Sequence, residues 1–239
     1  MQITNKISTK IKIIGALLLI LMLSTIATTI YLNQQNVKDA LIINIAGKQR
    51  MLTQNISKNI FYISYSSNND FYELNLATQE FIEGLNILKH GDAGQKISAA
   101  PTSKIENQII EVDILWNKFY EDVQNFKILT NSNETAKEEK LKAVILSIYK
   151  NNPILLDNVD KLVTMYTNYS ENKTEYMKIF QYLSASIFLF VFLSSLLRLK
   201  EIESHAEEFM KYSKQLVNNK SNSKLQPMQI DAESEIVEV

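Results

Sequence analysis

The residues able to do chemistry stand together in Asn44-Ile45-Ala46-Gly47-Lys48-Gln49-Arg50-Met51-Leu52-Thr53-Gln54. A guanidinium is a rigid planar fork of donors with no acceptor, so Arg50 is suited to a planar oxyanion. On a helix turning about 100° per residue, Ile45 marks the middle of an apolar face that Leu52, Ile56 and Ile63 share. Arg50 then lies about 140° away, beside Ile43, Ala46, Gly47, Gln54 and Ser57. Such a small, weakly polar face fits a helix that meets its own copy across a two-fold axis. Ala46, Gly47, Thr53 and Gln54 fill the positions three and four residues from Arg50, so its own helix supplies no carboxylate. Two such arginines repel each other until a small anion sits between them. Nitrate and nitrite carry one negative charge and only acceptor oxygens, which complements two donor-only forks. Arg50 is therefore the candidate ligand-binding residue, with Gly47, Ala46 and Gln54 as candidates beside it on the same face. Lys48 points about 160° from Arg50 and reads as a surface charge. Gln49 borders the core face and reads as a packing or hydrogen-bonding residue.

No other constellation competes. The chain has no cysteine, which excludes a disulfide framework, a thiolate nucleophile and a cysteine-based metal centre. His90 and His205 are its two histidines, and the expected topology puts them on opposite sides of a membrane. His90, beside Gly91, reads as a residue at a helix C-terminus. No catalytic set, metal or cofactor is expected. With 25 Lys+Arg against 26 Asp+Glu there is no basic stripe for nucleic acid.

Two apolar runs, charge-free over residues 13–32 and 179–197, decide where the arginine stands. Residues 13–32 and 179–199 each supply roughly the 20 residues that cross a bilayer. Lys6, Lys10 and Lys12 precede the first run, and Arg198 and Lys200 end the second. This bias predicts that both termini are cytoplasmic, with residues 1–12 on one side and 200–239 forming a short tail, coil and then disordered. Residues 33–178 form the domain between the runs. Its five Gly and three Pro across the whole chain favour long helices. Helical spacing predicts a helix through Leu41–Ile63, a second carrying Phe71–Leu88 and a third from Ile105 to Phe126. A short helix over about 137–149 follows, and Asn151-Asn152-Pro153 reads as the N-cap and first turn of a last helix. The fold class is all-α: an antiparallel four-helix bundle flanked by two transmembrane helices.

The motif around Gly47 and Arg50 resembles that of the sensory domain shared by nitrate/nitrite sensor kinases and type IV pilus chemoreceptors of the PilJ type. There it reads asparagine, any residue, alanine-glycine, any residue, glutamine-arginine-methionine. Leu115-Trp116 and the stretch from Pro153 to Tyr166 are similar to later helices of that domain. The resemblance implies a bacterial inner-membrane homodimer whose periplasmic bundle senses an anion and passes a small sliding of first helix against last through the spans. The tail after Lys200 is shorter than a kinase, a chemoreceptor hairpin or a complete HAMP domain, so a separate histidine kinase or chemoreceptor is the expected partner. A structural or scaffolding protein of envelope or pilus assembly is the alternative. In that reading Gly47 and Arg50 only pack a helix pair.

Overall fold

The computed structural model describes residues 7–66, 69–132 and 137–218. Four helices follow in order: α1 (Ile7–Ser66), α2 (Tyr72–His90), α3 (Ser103–Asn131) and α4 (Lys137–Asn218). Among the described residues the only extended pairing is an isolated bridge between Asp92 and Ile97. The chain divides into two compact units, one of them Asn33–Glu175 and the other containing both apolar runs. In the latter, Ile13, Leu19, Ile20, Leu23, Phe190 and Leu197 are exposed. Each run is long and apolar enough to cross a membrane, and neither most apolar window is buried. Thr29 returns its hydroxyl to the carbonyl of Thr25 at 2.9 Å, which satisfies a polar group without leaving the helix. The side chains of Ile202, His205 and Leu216, and the tail from residue 219, lie outside the described residues.

Within Asn33–Glu175 the helix limits follow local chemistry. Asp70 accepts a hydrogen bond from the Tyr72 amide at 2.9 Å as α2 begins. Thr102 has extended backbone angles and its hydroxyl accepts from the Ile105 amide, an N-cap for α3. α2 stops at Gly91, whose φ of 79° is left-handed and whose missing Cβ would stand 2.5 Å from the Ile97 carbonyl oxygen. Asp92 then closes the turn by accepting from the Gly94 amide at 2.8 Å. His90 ends α2, its Nδ1 2.9 Å from Asn86 Oδ1.

α4 differs from the expectation of two helices. It runs unbroken through Pro153, which sits inside it. Proline there removes an amide donor and costs about 3 kcal/mol. The packing on either side outweighs that loss: Ile148, Leu155, Val159 and Leu162 are all at most 1% exposed. Asn151 donates to Asp122 Oδ2 at 3.2 Å and to Ser147 Oγ at 3.0 Å. Ser147 donates to the same Asp122 oxygen at 2.7 Å. The turn before the proline is thereby tied to α3.

The core is built from α1–α4 around Phe81, Trp116, Phe119 and Phe126. Trp116, the single tryptophan, stacks on Phe81 with ring centroids 3.9 Å apart. The core face of α1 is rotated by roughly 50° from the one its apolar residues predict. Buried residues are Ala46, Gln49, Leu52, Thr53, Ile56, Ser57, Ile60 and Ile63, while Ile45 is only half-buried. Gln49 is 1% exposed and neither atom of its amide has a hydrogen-bond partner among the described residues. It fits only because α2 presents Gly84: a Cβ there would stand 1.8 Å from Gln49 Nε2.

An unpaired buried amide costs about 1–3 kcal/mol, and methionine keeps its length without the polar atoms. Gln49→Met is therefore expected to raise the thermal midpoint followed by Trp116 fluorescence. Gly84→Ala should lower stability by about 1–3 kcal/mol, because the buried amide has to move. An unchanged midpoint in Gly84→Ala contradicts this packing.

Candidate functional site

Helix α1 carries the expected anion-binding residues past the end of the first apolar run, and its rotation decides which of them face outward. Arg50 does: its side chain is 54% exposed. Gln54 is exposed as well, and Gly47 is half-buried with nothing within 4 Å of where a Cβ would stand. Met51, 57% exposed, lies on the same side. Ala46 does not join them. It is 0% exposed and packed in the bundle's own core, so the expectation that it lines a surface shared with a second copy is corrected. The physical reason is the rotation: burying Gln49, Thr53 and Ser57 brings Ala46 inward with them.

Arg50 also has a partner that the spacing on α1 does not reveal. Its Nη1 donates to Asp160 Oδ1 of α4 at 2.7 Å, across 110 residues of sequence. The two side chains are 54% and 52% exposed. An exposed pair of this kind contributes at most about 1 kcal/mol and weakens with salt. The guanidinium carries five donors, and this pair engages it through Nη1 alone. Lys48, read as a surface charge, pairs with Glu80 of α2 at 3.2 Å. Gln49, read as packing, points into the core.

Asp160 is the residue that the sequence did not bring forward. It belongs to a register in which α1 and α4 run antiparallel. Asp39 pairs with Lys173 at 2.9 Å, and the rings of Phe61 and Tyr149 meet edge to face at 6.4 Å. Asp39, Arg50 and Phe61 are spaced eleven residues apart, close to three full turns, and so share one face of α1. Among the described residues no three His, Cys, Asp or Glu side chains gather as metal ligands.

Residues 31–143 match the PilJ family, described as the type IV pili methyl-accepting chemotaxis transducer N-term. The match takes in Arg50 and its neighbours, all of α2 and α3 and the first residues of α4. Among solved structures, the ligand-binding domain of the P. aeruginosa nitrate receptor McpN is similar, with 19% identity and a TM-score of 0.44. That alignment covers 54% of this chain and 94% of the receptor domain. No curated protein matches. The match spans just under half of the chain, which over residues 31–143 is similar to the N-terminal region of such transducers.

Proposed function

We propose that this chain is a membrane-anchored sensor that binds a small oxyanion, nitrate or nitrite foremost, between the α1 helices of two copies. The observation that carries this reading is the exposed guanidinium of Arg50 beside open space at Gly47, within a sensory domain flanked by two apolar runs. Gln54 adds an amide to the same outward side. Two forks meeting at a two-fold axis supply up to four aligned N–H groups to a planar anion, and each bond is charge-assisted.

Asp160 gives the site its second state. Without ligand, Arg50 ties α1 to α4 through an exposed ion pair of at most about 1 kcal/mol. An anion at the axis competes for the same guanidinium and releases that tie. Binding thus has different contacts in the two states, the condition for a ligand to shift an equilibrium. The shift runs along α1 and α4 into the apolar runs, and the lysines and the arginine flanking those runs support a bundle in the periplasm with both termini in the cytoplasm of the inner membrane. Its recipient is a histidine kinase or chemoreceptor, in keeping with the chemotaxis transducers of the family.

Titration calorimetry on the full chain in detergent, with nitrate and then nitrite, tests the reading. Wild type is expected to release or absorb heat with at least one of them, and Arg50→Ala to lose it. Asp160→Asn removes the competitor and should tighten binding by up to about fivefold. Silence from wild type with both anions, or binding that survives Arg50→Ala, leaves the helix-packing role as the better account.

The shared axis has its own test, because the native chain holds no cysteine. Met51→Cys is expected to form a disulfide-linked dimer on mild oxidation, whereas Ile114→Cys on α3, also exposed at 59%, is not. Equal crosslinking at both positions argues against an α1–α1 interface.

A further inference from the structure

A cavity of about 120 Å³ lies inside Asn33–Glu175, away from Arg50. Three elements enclose it: α1 through residues 35–42, the α2–α3 connection through 98–101, and α4 through 166–173. One wall is apolar, made by Ile42, Ala99 and Pro101. The lining also carries Lys38, Asp39 and Lys173. Asp39 is already occupied, since Lys173 lies 2.9 Å from its Oδ2 and Ser170 donates to the same oxygen at 3.3 Å. Lys173 also sits 6.0 Å from the centre of the Tyr169 ring and reaches Gln35 at 3.4 Å. Lys38 is half-buried and has no ion-pair partner among the described residues, so the lining carries one uncompensated positive charge.

Tyr166 supplies the second observation. It is 4% exposed and lines the cavity, yet its hydroxyl donates to none of the described residues. Burial pushes its phenol up to about 12, so it keeps its proton and remains a donor at any physiological pH. That hydroxyl keeps contact with solvent and is free to donate to a ligand in the cavity.

We infer that this cavity is a second ligand site, distinct from the Arg50 surface, for a short-chain aliphatic carboxylate held by Lys38 and the Tyr166 hydroxyl. The charge–donor pair matches a carboxylate's two oxygens. The apolar wall separates this class from inorganic oxyanions, which leave Ile42 and Pro101 facing a charged shell with nothing apolar to cover them. The carboxylate's chain lies against that wall and excludes water from it. Because the lining belongs to α1, α4 and the connection between α2 and α3, the ligand braces the same helix pair that Arg50 and Asp160 join.

Titration of the full chain in detergent with acetate, propionate and butyrate tests the site. Affinity is expected to rise along that series as more of the apolar wall is covered. Lys38→Ala should abolish the heat, and Tyr166→Phe, which keeps the ring, should weaken binding by about tenfold. Arg50→Ala should bind the carboxylates as wild type does, which separates this site from the nitrate reading. Absence of heat with all three acids overturns the inference, as does binding that Lys38→Ala and Tyr166→Phe leave unchanged. Unfolding followed at Trp116 confirms that each variant is folded, so a lost signal reports the site.

Discussion

Antiparallel pairing of α1 with α4 is the constraint to which the bundle's other features answer. Three ties define it, at Asp39–Lys173, Arg50–Asp160 and Phe61–Tyr149. They advance eleven residues at a time along α1 and return thirteen and then eleven along α4. Eleven residues make about three turns, so all three ties fall on one stripe of α1 with little angular drift. That stripe fixes the rotation of α1 about its own axis. Once it is fixed, Gln49, Thr53 and Ser57 must enter the core and Ala46 must follow them. Gly84 on α2 is then the residue that makes room for the Gln49 amide.

Much of the fold was legible because its signals are local. Two charge-free runs, glycine at the end of α2 and apolar residues at helical spacing each need only a few neighbours to be read. Pro153 misled for a local reason as well. Its intrinsic cost favours a boundary, and only the tertiary ties from Ser147 and Asn151 to Asp122 on α3 keep α4 continuous. The rotation of α1 was not legible by apolar periodicity, because half of the residues that define its buried face are polar or small.

The candidate site divides along the same line. Gly47, Arg50 and Gln54 stand outside as the helical wheel places them, since residues so far round from the apolar face reach solvent with either choice of its centre. Asp160 was out of reach, because a partner 110 residues away is fixed by the register of two helices and by nothing near Arg50. The cavity at Tyr166 was illegible for the same reason. Its lining comes from three separate stretches, and the absence of a partner for a hydroxyl is a property of the folded packing alone.

The three ties also bound how far α1 can move against α4. A full one-turn slip of about 5.4 Å would break all three at once, and the Asp39–Lys173 pair is the best shielded, at 12% and 20% exposure. Leaving either charge there without its partner costs more than an exposed pair returns. Displacements of about 1–2 Å are different, because long lysine and arginine side chains can follow them without losing their acceptors. The middle tie is the one that solvent and anions reach most easily, with both of its side chains more than half exposed. On the proposed reading, a signal carried by this helix pair is a small shift centred on Arg50. On that reading the shielded tie on one side and the aromatic contact on the other act as stops, and a ligand need only outbid one weak carboxylate to start the shift.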